Sequence, residues 1–309
     1  MKKETVKLLE ELCKKLEIKI EKLSFGWVYK LSKSNKIRYI TGNFDINKEA
    51  SSKIALDKYA TYEVVKSQNL PIIEHKMIFN PNERKKYIEK DIWNICCDEF
   101  KAKKKVVVKP NLGLEGKGVF KCKTLDELEK AVKFLLEKNT SISICPYYDI
   151  EKEYRAFYLN GKILLIYEKE KPYIVGNGVE TIKELVEKLK LPHNKIVKEN
   201  LEKLDLSYIP NQNEKIEISW KYNLTGGATA RVIKKENLIY KTIEELAIRT
   251  GKSLDLTFAT IDIIKTKENE IYLLEVNSGV STNIFSNIVK DGKMIEREIY
   301  RKALIEMFK

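Results

Sequence analysis

The hydrophobic and polar positions of this chain follow two periods in turn. Residues 4–17, 124–138 and 284–308 repeat apolar side chains at helical spacing, with charged side chains between them. Short runs rich in β-branched and aromatic residues, such as residues 141–149, are typical of strands. Since helices and hairpins alternate along the sequence, the pattern predicts an α+β protein with separate lobes rather than one parallel sheet.

Two further helices have boundaries that can be read from the sequence. A continuous helix is predicted over residues 50–69, before Pro71 breaks the pattern. A helix over residues 241–252 is expected to end at Gly251, because glycine is common just after the last turn of a helix.

Two hairpins are expected in the second half of the chain. The pair Asn160–Gly161 separates two apolar runs and favours a two-residue hairpin turn. Residues 258–264 and 270–277 are strand-like and are predicted to face each other across a charged turn.

The composition argues against several classes of protein. The 309 residues are 43% hydrophobic and 33% charged, as in globular chains, and their longest apolar runs are far too short to span a bilayer. Five cysteines without a CxxC pair argue against a disulfide framework and a zinc site. Only two histidines are present, which argues against a histidine-activated nucleophile. We expect a cytoplasmic protein with reduced thiols and no membrane partner.

The net charge of +13 has two interpretations. It indicates an anionic partner, such as a nucleotide, a nucleic acid or a polyanionic substrate. It is also explained by a lysine-rich composition, because most lysines alternate with glutamates as they do on solvated helix faces. The sequence alone leaves both interpretations open.

A glycine-rich segment follows a strand that ends at Lys109. Gly113, Gly116 and Gly118 would let backbone N–H groups approach phosphate oxygens, and the lysine would neutralise phosphate charge. The segment lacks the final Ser or Thr of a P-loop and leads into a strand, so it is not a P-loop. A glycine-rich hairpin that covers phosphates and a plain hairpin turn both remain open.

Two predicted strands carry oxygen ligands where buried strands ordinarily carry apolar side chains. Asp262 interrupts the first strand, and Glu275 and Asn277 lie two positions apart on the second, on one face. Mg²⁺ is commonly held by one or two carboxylates together with substrate phosphates, so a magnesium site is one interpretation. The other is that each carboxylate bonds a nearby lysine.

An ordered set of motifs resembles the ATP-grasp carboxylate–amine ligases, nearest to the branch of cyanophycin synthetase, glutathione synthetase and the ribosomal-protein glutamylating ligase. The resemblance covers roughly residues 40–290. In chain order the motifs are Lys58, KPNLGLEGKGV from Lys109, EYRAFYLNGKI from Glu153, VGNGVETIKEL from Val175, YNLTGGA from Tyr222, Asp262, and EVN from Glu275.

The resemblance implies an ATP-grasp fold, in which two α+β lobes hold the nucleotide between them, with a short N-terminal lobe. We therefore expect an N-terminal lobe at residues 1–70, a small lobe with the glycine-rich loop at 71–150, and a large lobe with the metal site at 151–309. The N-terminal lobe often helps choose the substrate in this family. Its small size here leaves the substrate open, with a homodimer partner or a large substrate as ways to complete the pocket.

The resemblance also implies roles for individual residues. The implied nucleotide-binding residues are Lys58, Lys109, Gly113, Gly116, Gly118, Cys145, Tyr147, Tyr148 and Asn223. The family often has a glutamate in the hinge strand, and its absence here leaves Asp149 and Glu151 as candidates for the ribose contact. The implied catalytic cations are Arg155, Lys171 and Arg231. The implied metal ligands are Asp262, Glu275 and Asn277.

The function implied by the resemblance is an ATP-dependent ligase. It would activate a carboxylate as an acyl phosphate and join it to an amine of an amino acid or peptide, with ATP and two Mg²⁺ ions, or Mn²⁺ in their place. Two alternatives remain open: a ligase that modifies a macromolecular or anionic acceptor, which the net charge favours, and a non-catalytic ATP-binding sensor. A complete Asp/Glu/Asn set argues against the sensor.

Overall fold

The structure is a computed structural model that describes residues 3–82, 92–113, 116–189, 191–192 and 195–309. Helices and antiparallel sheets alternate along these residues, which confirms the predicted α+β class. The helices are α1 (Lys3–Lys15), α2 (Glu49–Leu56), α3 (Lys58–Ser67), α4 (Ile92–Lys103), α5 (Leu125–Leu136), α6 (Ile182–Glu187), α7 (Lys195–Leu201), α8 (Leu238–Ser253), α9 (Asn283–Ile288) and α10 (Gly292–Met307).

Four sheets are formed by the strands of the described residues. The strands are β1 (Lys19–Leu23), β2 (Val28–Lys33), β3 (Lys36–Ile40), β4 (Lys76–Phe79), β5 (Val106–Pro110), β6 (Phe120–Cys122), β7 (Ser141–Pro146), β8 (Ile150–Leu159), β9 (Lys162–Glu170), β10 (Tyr173–Val175), β11 (Lys215–Glu217), β12 (Thr229–Val232), β13 (Phe258–Thr266) and β14 (Ile271–Asn277).

The largest sheet has the strand order β12–β9–β8–β13–β14, and we call it the large sheet. Both predicted hairpins are part of it. Asn160 and Gly161 join β8 to β9 with φ angles of 44° and 77°, the left-handed values that favour this residue pair. The strands β13 and β14 pair directly, with Asp262 opposite Glu275.

The two faces of the large sheet have different neighbours. The back face packs against α8 through apolar side chains such as Tyr154, Ile261 and Ile263. The front face divides into three parts along the strands. One end shares an apolar core with α1, α9 and α10, the other contacts the four-stranded sheet, and charged side chains lie between them.

The four-stranded sheet has the order β4–β7–β5–β6 and packs against α4 and α5. Its strands fall within the predicted small lobe at residues 71–150. The sequence pattern also predicts a helix within residues 81–102. The described helix α4 begins at Ile92, and residues 83–91 lie outside the described residues. A smaller unit, formed by β10, β11, α6 and α7, has its own apolar cluster around Ile174, Ile182 and Ile218.

The first seventy residues share the cores of the large sheet. Helix α1 and strands β1–β3 pack with α10 around Leu12, Leu31 and Leu304, whereas α2 and α3 join the core on the back face. No separate core among the described residues belongs to this segment alone. The division of the chain into three domains stays a prediction.

Two helices differ from their predicted form. The helix expected over residues 50–69 is broken at Asp57, whose backbone is extended and whose side chain accepts a 2.8 Å hydrogen bond from the Ala60 N–H. Asp57 therefore ends α2 and caps α3. Gly251 lies inside α8, which continues to Ser253, so its predicted place at the helix end is wrong.

Two further expectations concern the thiols and the membrane. All five cysteines carry free thiols, four of them buried, as expected for a chain without a disulfide framework. None of the helices in the described part of the chain has the length and apolar character that crossing a membrane requires.

Candidate functional site

A cleft of about 360 Å³ lies between the front face of the large sheet and the four-stranded sheet. Side chains from both sheets, from α3, from α9 and from the segment after β11 line it. Most of the site residues predicted from the sequence lie in this cleft, although they are spread over more than 200 positions of the chain.

One end of the cleft is an apolar slot between the two sheets. Ile73 and Val107 form one wall, and Ile264 and Leu274 of the large sheet form the other. Its rim carries aromatic rings from the segment after β7 and the segment after β11; these are Tyr147, Tyr148 and Trp220. A flat apolar group is the kind of ligand that such a slot accepts.

Lysines line the next part of the cleft. Lys58 begins α3 and donates a 2.9 Å hydrogen bond to the Gly113 carbonyl, while Lys221 donates a 3.0 Å bond to the Gly116 carbonyl. Lys109 is almost fully buried on β5. Among the described residues, none of these three ammonium groups forms an ion pair with a carboxylate. The cleft therefore holds positive charge that an anionic ligand would neutralise.

Burial affects the protonation of two of these lysines. Burial lowers the pKa of Lys58, the charge of Lys109 lowers it further, and Glu275 opposes the shift. Burial, with the charge of Lys203, lowers the pKa of Lys221 to about 8. An anion bound in the cleft would raise the pKa values of Lys58 and Lys221. The charged forms of both lysines therefore favour the binding of an anion.

Four charged side chains form a buried network on the floor of the cleft. Arg155 of β8 donates hydrogen bonds of 2.6 and 2.5 Å to the two carboxylate oxygens of Asp262. Lys169 of β9 donates a 2.5 Å bond to Glu153 and lies 3.3 Å from Asp262. The network contains two positive and two negative charges, so each buried charge has a partner.

The network determines how these acids titrate. Burial would raise the pKa of Asp262, but Arg155 and Lys169 more than offset it and lower the pKa to about 2. Burial raises the pKa of Glu153, and Lys169 offsets this only in part. The pKa of Arg155 is well above its ordinary value, since Asp262 outweighs burial.

Two of the predicted metal ligands, Glu275 and Asn277, lie beside this network, and the third, Asp262, belongs to it. A bulge at Leu274 shifts the register between the Asp262–Glu275 and Ile263–Leu273 pairs, and it brings Leu274 and Glu275 both into the lining of the cleft. Asn277 lies two residues after Glu275 on β14, and its side-chain amide donates a 3.2 Å hydrogen bond to the Glu275 carboxylate.

The oxygen donors fit a hard cation that also binds phosphate. Glu275 and Asn277 are half-buried and open to the cleft, whereas Asp262 is buried and already bound by Arg155 and Lys169. Within the described residues, no group of three or more His, Cys, Asp or Glu side chains is arranged to hold a metal ion. A metal ion here would need ligand phosphates to complete its coordination, as Mg²⁺ commonly does.

The structure separates the predicted site residues into two groups. Those that line the cleft are Lys58, Lys109, Gly113, Gly116, Cys145, Tyr147, Tyr148, Arg155, Lys171, Asn223, Glu275 and Asn277, with Asp262 buried beneath them. Lys171 pairs with Glu217 at 2.9 Å at the edge of the cleft.

The structure does not bring Arg231 to the cleft. Arg231 on β12 pairs with Glu168, whose side chain lies on the back face, and its own side chain is 67% exposed. The predicted catalytic position of Arg231 is therefore corrected: the register of β12 turns it away from the front face.

Three other predicted residues lie outside the cleft. Glu151 forms a 2.8 Å ion pair with Lys265, and Asp149 is exposed beyond the end of β7. Neither lines the cleft, so neither is placed for the predicted ribose contact. Gly118 packs close to Pro110 and Leu135 and belongs to the turn before β6, with a left-handed φ of 64°. It does not line the cleft.

Sequence reasoning missed Glu153, Lys169 and Lys221. A register counted directly from the Asn160–Gly161 turn would place Glu153 opposite Glu168, but a bulge between the Phe157 and Tyr158 pairs shifts the partner to Lys169. Nothing in the sequence marks this bulge. The spacing of Glu153 two positions before Arg155 was the available signal, because alternate residues of a strand share a face.

Comparisons with known proteins agree with this architecture. Residues 212–298 match the family model of the RimK-like ATP-grasp domain. The glutathione biosynthesis bifunctional protein GshAB of Clostridium perfringens is 26% identical over 283 residues, which cover 82% of this chain and 35% of that protein. Cyanophycin synthetase of Trichormus variabilis is 23% identical over 250 residues, 73% of this chain and 26% of that protein.

A solved structure shares the fold at low sequence identity. The bifunctional glutathione synthetase from Pasteurella multocida has a TM-score of 0.57 at 16% identity, covering 96% of this chain and 43% of that one. The chain spans about a third of the length of the curated relative GshAB.

The chain has the ATP-grasp fold, with a cleft between its two sheets. Within that fold, residues 212–298 are similar to the RimK-like ATP-grasp domain, and the similar proteins include glutathione and cyanophycin synthetases. The resemblance drawn from the sequence motifs is confirmed.

Proposed function

We propose that this chain is an ATP-dependent carbon–nitrogen ligase that activates a carboxylate as an acyl phosphate and joins it to an amine. One observation carries the proposal. The cleft presents, in order, an apolar slot, the ammonium groups of Lys58, Lys109 and Lys221, which form no ion pair among the described residues, and Glu275 and Asn277 above the buried Asp262. A base, a triphosphate and a metal ion need these three environments in this sequence.

The nucleotide is proposed to lie with its base in the apolar slot and its phosphates over Lys58 and Lys109. The N–H of Tyr147 donates to the Lys105 carbonyl at 3.0 Å and is not available to a base. In the described residues, the Tyr147 carbonyl and the Tyr148 N–H have no backbone partner. They offer one acceptor and one donor, which matches the donor and acceptor on the edge of adenine.

Glu275 and Asn277 are the residues that would hold magnesium, with the buried Asp262 beneath them. The bound ion would offset the negative charge of the triphosphate and of the carboxylate that approaches it. Lys169 would act through Asp262, because it lies 3.3 Å from that carboxylate and lowers its pKa. Glu153 would in turn hold the ammonium group of Lys169 in place.

The reaction needs positioning and charge neutralisation more than acid–base chemistry. The substrate carboxylate attacks the terminal phosphorus of ATP, which yields an acyl phosphate and ADP. The amine then attacks the acyl carbon, and inorganic phosphate and a proton leave. Lys109 and the exposed part of Arg155 would neutralise the charge that gathers between the carboxylate and the phosphates.

Other properties of the protein are part of this proposal. Amino acids or peptides are the proposed substrates, since the names of the similar proteins describe glutathione and cyanophycin synthesis. A macromolecular or anionic acceptor is the alternative that the net charge of +13 favours. A cytoplasmic location agrees with five free thiols, and a homodimer stays a prediction.

Glu275→Gln tests the proposal most simply. The substitution keeps the size of the side chain and removes its charge, so ADP release dependent on Mg²⁺ and ATP should fall at least about 100-fold. The melting temperature should stay near that of the parent chain, because Glu275 is half-buried and pairs with no cation among the described residues.

Glu268→Gln is the matched control. Glu268 is exposed in the turn between β13 and β14 and lies outside the cleft. Its variant should release ADP at the parental rate. Parental activity in Glu275→Gln would remove Glu275 from the proposed metal site.

A further inference from the structure

The cleft has a second apolar end, on the far side of the charged network from the apolar slot. Tyr167 and Phe285 stack there with ring centroids 4.6 Å apart and an interplanar angle of 28°. Leu224 and Ile284 also line this end, and both are half-buried. We call these four residues the aromatic pocket.

The aromatic pocket is built on rigid elements. Tyr167 and Phe285 contact a third ring, Phe157, at 6.1 and 5.9 Å. Helix α9 carries Ile284 and Phe285, and it is anchored where the buried Thr282 hydroxyl donates a 2.5 Å bond to the buried Glu296 of α10. The shape of the pocket is therefore set before any ligand binds.

The aromatic pocket contains no partner for a charged group. The carboxylates that line the described part of the cleft are Glu153 and Glu275, and both belong to its charged middle. Arg155 and Lys169 are the cations that act on Tyr167, and both already bond carboxylates of the network. A charged group in the pocket would lose its water without a partner in return.

The position of the pocket relates it to the carboxylate substrate. This step rests on the proposed function. If the phosphates lie over Lys58 and Lys109, the reacting carboxylate must lie beside them, near the exposed part of Arg155. The group attached to that carboxylate then has the aromatic pocket as its neighbour.

We propose that the carboxylate substrate carries an uncharged apolar group that packs in the aromatic pocket, so that Tyr167, Leu224, Ile284 and Phe285 select apolar over acidic and basic substrates. The proposal concerns the carboxylate substrate only. It separates this chain from an enzyme that would activate an acidic or basic amino acid.

Hydroxylamine provides a test that does not depend on the natural amine. It attacks an acyl phosphate at the acyl carbon and releases phosphate, so every activated carboxylate appears as a hydroxamate. Leucine and phenylalanine are compared with aspartate, glutamate and lysine, each free and N-acetylated, in the presence of ATP and Mg²⁺. The parent chain should prefer the apolar substrates by at least about ten-fold in kcat/KM, the range that apolar pockets achieve.

Ile284→Lys places a charge in the pocket and should lower kcat/KM for leucine and phenylalanine at least about ten-fold, while the value for glutamate rises. Ile288→Lys is the matched control, since it is the same change in the same helix at a residue that is 44% exposed and outside the cleft. Leu224→Ala, which removes apolar contact without adding charge, should lower kcat/KM for the same substrates. Melting temperatures verify that all variants are folded.

The outcomes separate the two proposals. Faster hydroxamate formation from acidic or basic substrates would overturn the specificity and leave the ligase proposal standing. Equal values for Ile284→Lys and Ile288→Lys would overturn the role of the pocket. The absence of hydroxamate from every carboxylate would contradict the ligase proposal itself, and the specificity would fall with it.

Discussion

At the scale of single residues, the buried charge network shows both what the sequence predicts and what it leaves out. Asp262 and Glu275 were expected on paired strands, and the structure shows that they also lie directly opposite each other. Glu153 and Lys169 were not predicted, because a bulge between β8 and β9 determines that they pair. Arg231 was predicted in the cleft but lies on the back face, because the pairing register of β12 decides which face its side chains occupy. One residue of slip exchanges the two faces of a strand, and the sequence contains no direct record of it.

Lys169→Met is predicted to destabilise the fold. It leaves Glu153 buried without its cation, and removing one partner of a buried pair costs about 3 kcal/mol or more. Burial already raises the pKa of Glu153, and the loss of Lys169 would raise it further, so the loss of stability should grow as pH rises through the raised folded pKa and shrink at lower pH. Urea unfolding at about pH 4 and about pH 7 measures it.

Two variants control this prediction. Lys169→Met combined with Glu153→Gln removes both charges and should recover more than half of the lost stability at neutral pH. Lys265→Met breaks the more exposed pair with Glu151 and should cost less than about 1 kcal/mol. Equal losses from Lys169→Met and Lys265→Met would contradict the account of the network.

At the scale of elements, the turn signal of the second half of the chain was predictable because it acts locally. The Asn160–Gly161 turn needs only its own backbone geometry. The structure shows an equally local device at the start of α6, where Thr181 and Glu184 form a capping box. The break at Asp57 was not predictable, because the surrounding pattern continues as a helix. That break places Lys58 at the start of α3, within reach of the Gly113 carbonyl.

Gly251→Ala is predicted to destabilise the chain although alanine is the better helix former. A Cβ at Gly251 would lie 2.5 Å from ring atoms of the buried Tyr158, so α8 could no longer approach the large sheet closely. Overpacking of this kind costs about 1–3 kcal/mol, against a gain in helix propensity of about 1 kcal/mol. Urea unfolding should therefore show a net loss.

Lys252→Ala provides the comparison for this helix. Lys252 is the exposed neighbour of Gly251, and its substitution should change stability by less than about 0.5 kcal/mol. A gain in stability from Gly251→Ala would mean that helix propensity, rather than the approach of α8 to Tyr158, decides this position.

At the scale of the whole molecule, the proposed function depends on side chains from both sheets of the cleft. Neither sheet alone contains the candidate site. Lys109 comes from the four-stranded sheet, Glu275 from the large sheet, and Lys58 from helix α3. The class of the fold could be predicted because the motifs occur in a fixed order. The composition of the cleft could not, because it depends on tertiary contacts between segments far apart in the sequence.

The most direct test of the account is a crystal structure with a non-hydrolysable ATP analogue and Mn²⁺, located by its anomalous scattering. We expect the triphosphate over Lys58 and Lys109, and the manganese about 2 Å from oxygens of Glu275 and Asn277. An analogue bound outside this cleft, or Glu275 and Asn277 engaged only in protein contacts away from every phosphate, would contradict it.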